Sequence, residues 1–282
     1  MLAALLALTS SLAWGLSDFL GGVQSRRNPL LAVLVLSQSV ALALLVAAVL
    51  AGAPTEHDTT ATLLAVGCGL FGMAALAAFY HALTIGTMSV VAPISATGTA
   101  IPVLVGLLSG EEPSALQLAG ILLAAGGVVL AAREAPSADA ARRRDSRRAV
   151  ALALFAAVGF GTFFAGIDRA EETADVAWVL IAARTADVGV LVLACAFLRP
   201  PLPRDLASLG PIAAVGALDL LANLLFVLAA ARGLLSVVGV LGSLYPVVTV
   251  ILARMVLDER LSRSQTRGVL ITLAGVVALA AG

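Results

Sequence analysis

The sequence predicts an all-α integral membrane protein of ten transmembrane helices, built as two inverted five-helix repeats. Three observations carry that prediction: a composition far too apolar for a soluble domain, apolar runs of about 20 residues, and an internal repeat with an odd number of spans. Of 282 residues, 61% are hydrophobic and 12% charged, with a mean hydropathy of +1.06; soluble domains run at about 45–50% apolar and about 25% charged. In hydrocarbon every backbone polar group needs an internal partner, which only helices and closed barrels provide. Barrel strands alternate over about 10 residues, whereas the runs here are continuous, so the spans are helical.

The first span, residues 2–22, begins MLAALLALTSSLAWG without a basic leader and runs at full length, so it reads as a helix that stays. QSRRNP ends it, and 30–51 follows without a charge up to the break APTEHDTT. Spans three and four, 63–85 and 88–109, are separated only by the turn TIGTM, and the fourth carries Pro93 and Pro102. SGEEPS precedes the fifth, 115–132. Residues 133–148, REAPSADAARRRDSRR, are too charged to enter lipid and read as a linker. The second half continues with 149–169, 176–198, 209–231, 235–257 and 265–281, interrupted by RPPLPRDLAS and LDERLSRSQ.

Self-comparison shows why the linker lies at the middle. The segment from Gly86 aligns with that from Gly233: Ser89-Val90-Val91 with Ser236-Val237-Val238, Glu112 with Glu259, Gly120 with Gly268, Gly127 with Gly275. Upstream, Trp14-Gly15 corresponds to Phe160-Gly161, and Pro29 to Gln38 is spaced like Asp175 to Arg184. Residues 1–132 and 149–282 are therefore expected to be two copies of one unit. Five spans per copy force the second to enter from the opposite face, the inverted arrangement of many secondary transporters. With both termini outside, the cytosolic loops hold 13 arginines, including Arg26, Arg27 and Arg142, against Arg169 and Arg232 outside; the positive-inside rule then places the linker in the cytosol of a multi-pass protein of the cell membrane.

The cassette FYHALTIGTMSVVAPISATGTAIPVLVGLLSGEEPSALQLAGILLAAGGVVL, residues 79 to 130, resembles the EamA unit of the drug/metabolite transporter superfamily. The aromatic FYHAL, the Gly and Ser-Val-Val at the turn, the proline in the next helix, the acidic pair and the paired glycines of the last helix carry the likeness. It extends over essentially the whole chain, and Tyr245-Pro246 keeps the pattern in the second copy. Two departures stand out: Thr99 occupies the proline position of the first copy, and Gln38 occupies the place of an arginine that Arg184 fills in the second. The resemblance implies an alternating-access carrier of small metabolites, most often moving them outward. By the same likeness the first, third and fourth helices of each unit line the cavity, which brings in Trp14, Ser95, Thr99 and Tyr245.

The polar residues inside the spans argue independently. Ionisable side chains at membrane depth cost about 2.5–3.5 kcal/mol each and mark function. Arg184 and Asp187 together cost about 5–7 kcal/mol, while the eleven Val, Ile, Leu and Phe residues of their span return about 3–7 kcal/mol. The near-zero balance requires the charged side of this helix to face protein. The two residues lie about 60° apart on one face, close enough to pair with each other as a structural ion pair. Asp219, with Asn223 one turn on, has no base in its own segment; it needs Arg184, a bound cation or a proton. Asp18 either reaches Arg26 or Arg27 at the interface or belongs to the pathway. Three carboxylates against one arginine leave an excess of acid that a proton, another coupling ion or a cationic or zwitterionic cargo would neutralise.

Pro93, Pro102 and Pro246 interrupt backbone ladders and are candidate hinges. Glycines at 67, 69, 72, 126, 127, 159 and 161 are expected to permit close helix approach. Tyr80 and His81 read as interface residues at the end of the third span. The absence of lysine among 17 basic residues is a matter of codon composition, as in a high-GC bacterial genome. Cys68 and Cys195 fall in apolar runs, and no metal spacing, phosphate loop or nucleophile–base pair appears, so no cofactor, no metal and no enzymatic activity are expected. The expected partners are a small-molecule substrate and membrane lipid, the Arg cluster at 142–148 facing anionic headgroups, with no nucleic acid. A protein on this fold that binds but does not transport is the competing function.

Overall fold

The computed structural model describes residues 2–108, 114–131, 140–230, 232, 238 and 241–281, which form helices and the turns and short loops that join them. The helices are α1 (Leu2–Arg27), α2 (Leu30–Leu50), α3 (Thr59–Ile85), α4 (Met88–Ala96), α5 (Ala100–Leu108), α6 (Ala115–Ala131), α7 (Ala140–Glu171), α8 (Val176–Leu198), α9 (Leu206–Ala230), α10 (Tyr245–Val256) and α11 (Arg263–Ala281). Among the described residues, seven are long and apolar enough to cross a membrane: α1, α2, α3, α7, α8, α9 and α11. Glu111, Glu112, Gly233, Ser236 and Val237 of the repeat lie outside the described residues, as does part of the ninth expected span.

Local chemistry sets the ends. Asp58 accepts a bond from the Ala61 amide, 2.8 Å, and starts α3. Arg199 closes α8 in the left-handed region, φ 46°, and Pro200-Pro201 prevents continuation. Exposed Asp205 starts α9 by accepting from the Ser208 amide at 2.8 Å, and bonding to Ser208 holds its carboxyl below the usual carboxylate range. The α7 helix begins at Ala140, so residues 140–148 of the expected linker are its first turns. Runs of alanine and arginine are strong helix formers, and a span already nucleated beside them extends them outward at little cost.

The fourth span is not one helix. A 3₁₀ turn at Thr97–Thr99 separates α4 from α5, between the two prolines. Thr97 Oγ1 and Thr99 Oγ1 bond back to the Ile94 and Ala96 carbonyls, 2.7 and 3.2 Å, competing with the helical ladder. Gly98 lies against the Ala157 carbonyl, where a Cβ would collide with backbone. Pro102 falls in the first turn of α5 and Pro246 at the start of α10, places where a missing N–H is harmless; of the three candidate hinges Pro93 alone stands inside a helix, as Pro211 does in α9. The α10 start at Tyr245 corresponds to Gly98 in the first copy, so both copies interrupt the fourth span at the same point.

The principal packing pairs cross between the copies. The order α1–α9–α2–α8–α3–α7–α4–α10, returning to α1, forms a closed ring, and α6 pairs with α11 beside it. Among the described residues the buried clusters mix the two copies; the largest draws Phe79, Tyr80 and Met88 from one and Ala149, Ile212 and Val215 from the other. Three contacts recur with the copies exchanged. Gly15 meets the Tyr245 carbonyl and Val248, while Gly161 meets the Gly98 carbonyl and Ile101. Gly120 meets Leu279 and Gly268 meets Ala131, while Gly127 meets Thr272 and Gly275 meets Ala124. Partner numbers fall as the glycine numbers rise, so α6 and α11 run antiparallel. Gly67 and Gly126, expected to serve the same purpose, meet nothing within 4 Å.

One end of the ring, next to the linker, is tightly tied. Arg26 donates to the Leu83 carbonyl from Nε (3.0 Å) and Nη2 (2.8 Å), and Nη2 also reaches the Gly86 carbonyl. Glu259 accepts from the Met88 and Ser89 amides, 2.9 Å each, and lies 3.6 Å from Arg26. At the far end, Asp175 accepts from the Glu56 amide and Trp178 donates to Thr62, 2.9 Å. Tyr80 is 2% exposed and packs on Gly21 instead of at an interface, because only glycine leaves room for the ring there.

Candidate functional site

The ring encloses a cavity of about 120 Å³ lined from six helices, α1, α3, α7, α8, α9 and α10. At about 10–15 Å³ per water it has room for several waters or one small solute. Seven of the residues singled out in the sequence meet there: Trp14 and Asp18 of α1, Arg184 and Asp187 of α8, Asp219 and Asn223 of α9, and Tyr245 of α10. Ser95 and Thr99 do not line it; each hydroxyl bonds to a carbonyl three residues back, Ala92 and Ala96.

Arg184 is the organising cation. Its Nη2 bonds Asp219 and its Nη1 bonds the Gln38 side-chain oxygen, so α8 is joined to both ring neighbours, α9 and α2. The intrahelical pair that the spacing allowed does not form: the Arg184 terminal nitrogens bond Asp219 and Gln38, and no salt bridge joins Arg184 to Asp187. Side chains on a helix lean toward its N-terminus, and a base preceding an acid is the less favourable order for such a pair. Gln38 stands at the place in the first copy that Arg184 holds in the second, so the two equivalent positions touch.

Asp187 has no salt-bridge partner among the described residues. It is 4% exposed, and its buried Oδ1 has no hydrogen-bond partner among the described residues. Asp18 likewise faces the cavity and has no ion-pair partner among them; Arg26, the interface alternative, is committed to Leu83, Gly86 and Glu259. Asn223 donates to the Asp219 carbonyl one turn back, 2.7 Å. Among the described residues, no three carboxylate, imidazole or thiol side chains converge to hold a metal.

Sequence reasoning missed the wall. Phe160, Phe163 and Phe164 of α7 line the same cavity as the acids, with Trp14 edge-on to both Phe164 (6.5 Å) and Tyr245 (6.2 Å). The repeat held the signal: Phe160 is the counterpart of Trp14. On the α3 side Gly69 and Gly72 pack against Ala183 and Phe163, so α8 and α7 approach closely enough to close the cavity.

The sequence profile of the EamA-like transporter family matches residues 1–133 and 147–281, both copies. The chain belongs to the EamA-like transporter family. No curated protein matches it. Among solved structures, one described only as a "Crystal structure of protein" superposes on this EamA-like chain with a TM-score of 0.68 at 20% identity, covering 98% of this chain and 96% of the other; the likeness concerns the fold. In this EamA-like protein the cavity occupies the centre of the ring, and the bulky core of Phe79, Tyr80, Leu83 and Met88 fills the space between it and the linker end.

Proposed function

We propose that this EamA-like protein is a secondary transporter that moves a small polar metabolite or drug across the cytoplasmic membrane by alternating access, outward and with proton coupling. The single observation carrying this is the cavity at the ring's centre, which gathers three carboxylates and one arginine from α1, α8 and α9 at membrane depth. Such groups are expensive in lipid and persist where they serve a pathway.

Inversion of the copies is part of the reading. It is supported by the antiparallel α6–α11 pair and by the ring order: exchanging each helix for its counterpart reverses the ring, as a two-fold axis in the membrane plane would. That axis passes between α2 and α8, at Gln38 and Arg184. The charge bias puts the linker and the Arg26–Glu259 end in the cytosol, so the packed core closes the cytosolic side and the structure represents a state shut toward it. Asp219, exchanging Arg184 for a proton, is the coupling group.

The test is solute counterflow in proteoliposomes, after a thermal-shift panel of amino acids, amines, nucleosides and sugar phosphates has found a stabilising solute. Saturable counterflow is expected, with Asp219→Asn folded yet unresponsive to an imposed proton gradient. Binding without counterflow would make the protein a sensor instead of a carrier; an unchanged gradient response in Asp219→Asn would remove the coupling assignment.

A further inference from the structure

We propose that the cavity is selective for an organic ammonium ion, with Asp187 as its counter-ion and the aromatic wall as its seat. The assignment rests on the carrier reading only for what happens after binding.

Charge comes first. Asp219 is satisfied by Arg184, whereas among the described residues the buried Asp187 has an oxygen with no hydrogen-bond partner, and neither it nor Asp18, which faces the same cavity, has a salt bridge. A buried carboxylate left unpaired is costly, and a cation placed in the cavity removes that cost. The arginine offers little to a carboxylate on the cargo, because both terminal nitrogens are already committed, one to Gln38 and one to Asp219. An anion would meet unbalanced acid, and a zwitterion would find a partner for its ammonium end alone.

The second step separates an organic from an inorganic cation. The carboxylates do not converge into a metal-holding group among the described residues. What surrounds them is aromatic: of nine phenylalanines, two tryptophans and two tyrosines in the chain, Trp14, Phe160, Phe163, Phe164 and Tyr245 line this one cavity. Ring faces attract ammonium groups most strongly where water is excluded, and they also pack the apolar body of a small amine. The 120 Å³ volume suits a solute of about ten non-hydrogen atoms or fewer.

The experiment uses the full-length protein in detergent with Trp178→Phe, which leaves Trp14 as the sole tryptophan. Its emission is titrated with 2-phenylethylamine, the neutral isostere 2-phenylethanol, the carboxylate phenylacetate and the zwitterion L-leucine, all within that size. The amine should saturate the signal at least tenfold more tightly than the other three, and Asp187→Asn should lower amine affinity at least tenfold while leaving the alcohol unchanged. Asp187→Glu should retain the preference. Equal or tighter binding of the alcohol, the carboxylate or the zwitterion overturns the proposal; so does wild-type amine affinity in Asp187→Asn. Should that variant not fold, the amine-to-alcohol ratio in the parent protein decides alone. Counterflow of a non-cationic solute without amine binding would sink the ammonium assignment and leave the carrier; amine binding without counterflow would do the reverse.

Discussion

Arg184 joins two helices by satisfying an acid on one and an amide on the other, while the acid nearest to it in sequence goes without. The residues themselves were legible: four ionisable side chains inside apolar runs announce themselves by cost alone, and all four line one cavity. Their pairing was not, because spacing describes one helix and Arg184 bonds across two others. A consequence follows for stability. Arg184→Ala strands Asp219 in the interior and is expected to cost about 3–5 kcal/mol, read as a lowered unfolding temperature in detergent. Arg184→Gln combined with Asp219→Asn should recover most of that loss, since it removes the charge along with its partner. A double variant no better than the single would show that the pair contributes nothing specific.

At the level of helices, adjacent glycines behave differently, and the difference can be measured. Gly126 faces open space, and Gly127 presses on the backbone of Thr272. Gly126→Ala should leave stability unchanged or raise it by up to about 1 kcal/mol, the helix propensity gained. Gly127→Ala has to push α6 from α11 and should lower the unfolding temperature by several degrees, as should Gly275→Ala at the equivalent contact. Equal effects at 126 and 127 would contradict the packing. The sequence showed the spacing of these glycines but not which of two neighbours met a partner, because that depends on the rotation of a helix whose polar side is nearly absent. The break in the fourth span illustrates a related limit. Prolines drew attention to 93 and 102, and the 3₁₀ turn formed between them, where threonine hydroxyls and a bare Gly98 against α7 outcompete the ladder.

For the whole molecule, the two-copy organisation was legible in the internal repeat and the family match covers both copies, whereas the interleaving of their helices was not legible, because self-comparison pairs positions in sequence and says nothing of which helices pack together. The ring alternates between copies over its whole circuit, so any two bodies that rock must each contain helices from both. Glu259 is the tie across that circuit at the linker end. Thr87 offers no side-chain cap to α4, and Glu259, far along the chain, supplies both acceptors instead. Glu259→Ala should release the α3–α4 turn, seen as faster amide exchange over residues 83–91 with protection in α8 unchanged, at a stability cost of about 1–2 kcal/mol, typical of a lost cap. Unaltered exchange at that turn would mean the tie is not what keeps this end closed.

The meeting of Gln38 with Arg184 has a further implication. In an assembly of two identical five-helix chains, this position would face its own twin: two arginines would repel, and two glutamines would leave Asp219 without a cation. Joining the copies in one chain frees the two sites to diverge, so that one becomes the donor and the other its neutral acceptor. The asymmetry of the cavity, and with it any preference for the sign of a solute, is therefore available to the fused chain and closed to a symmetric pair.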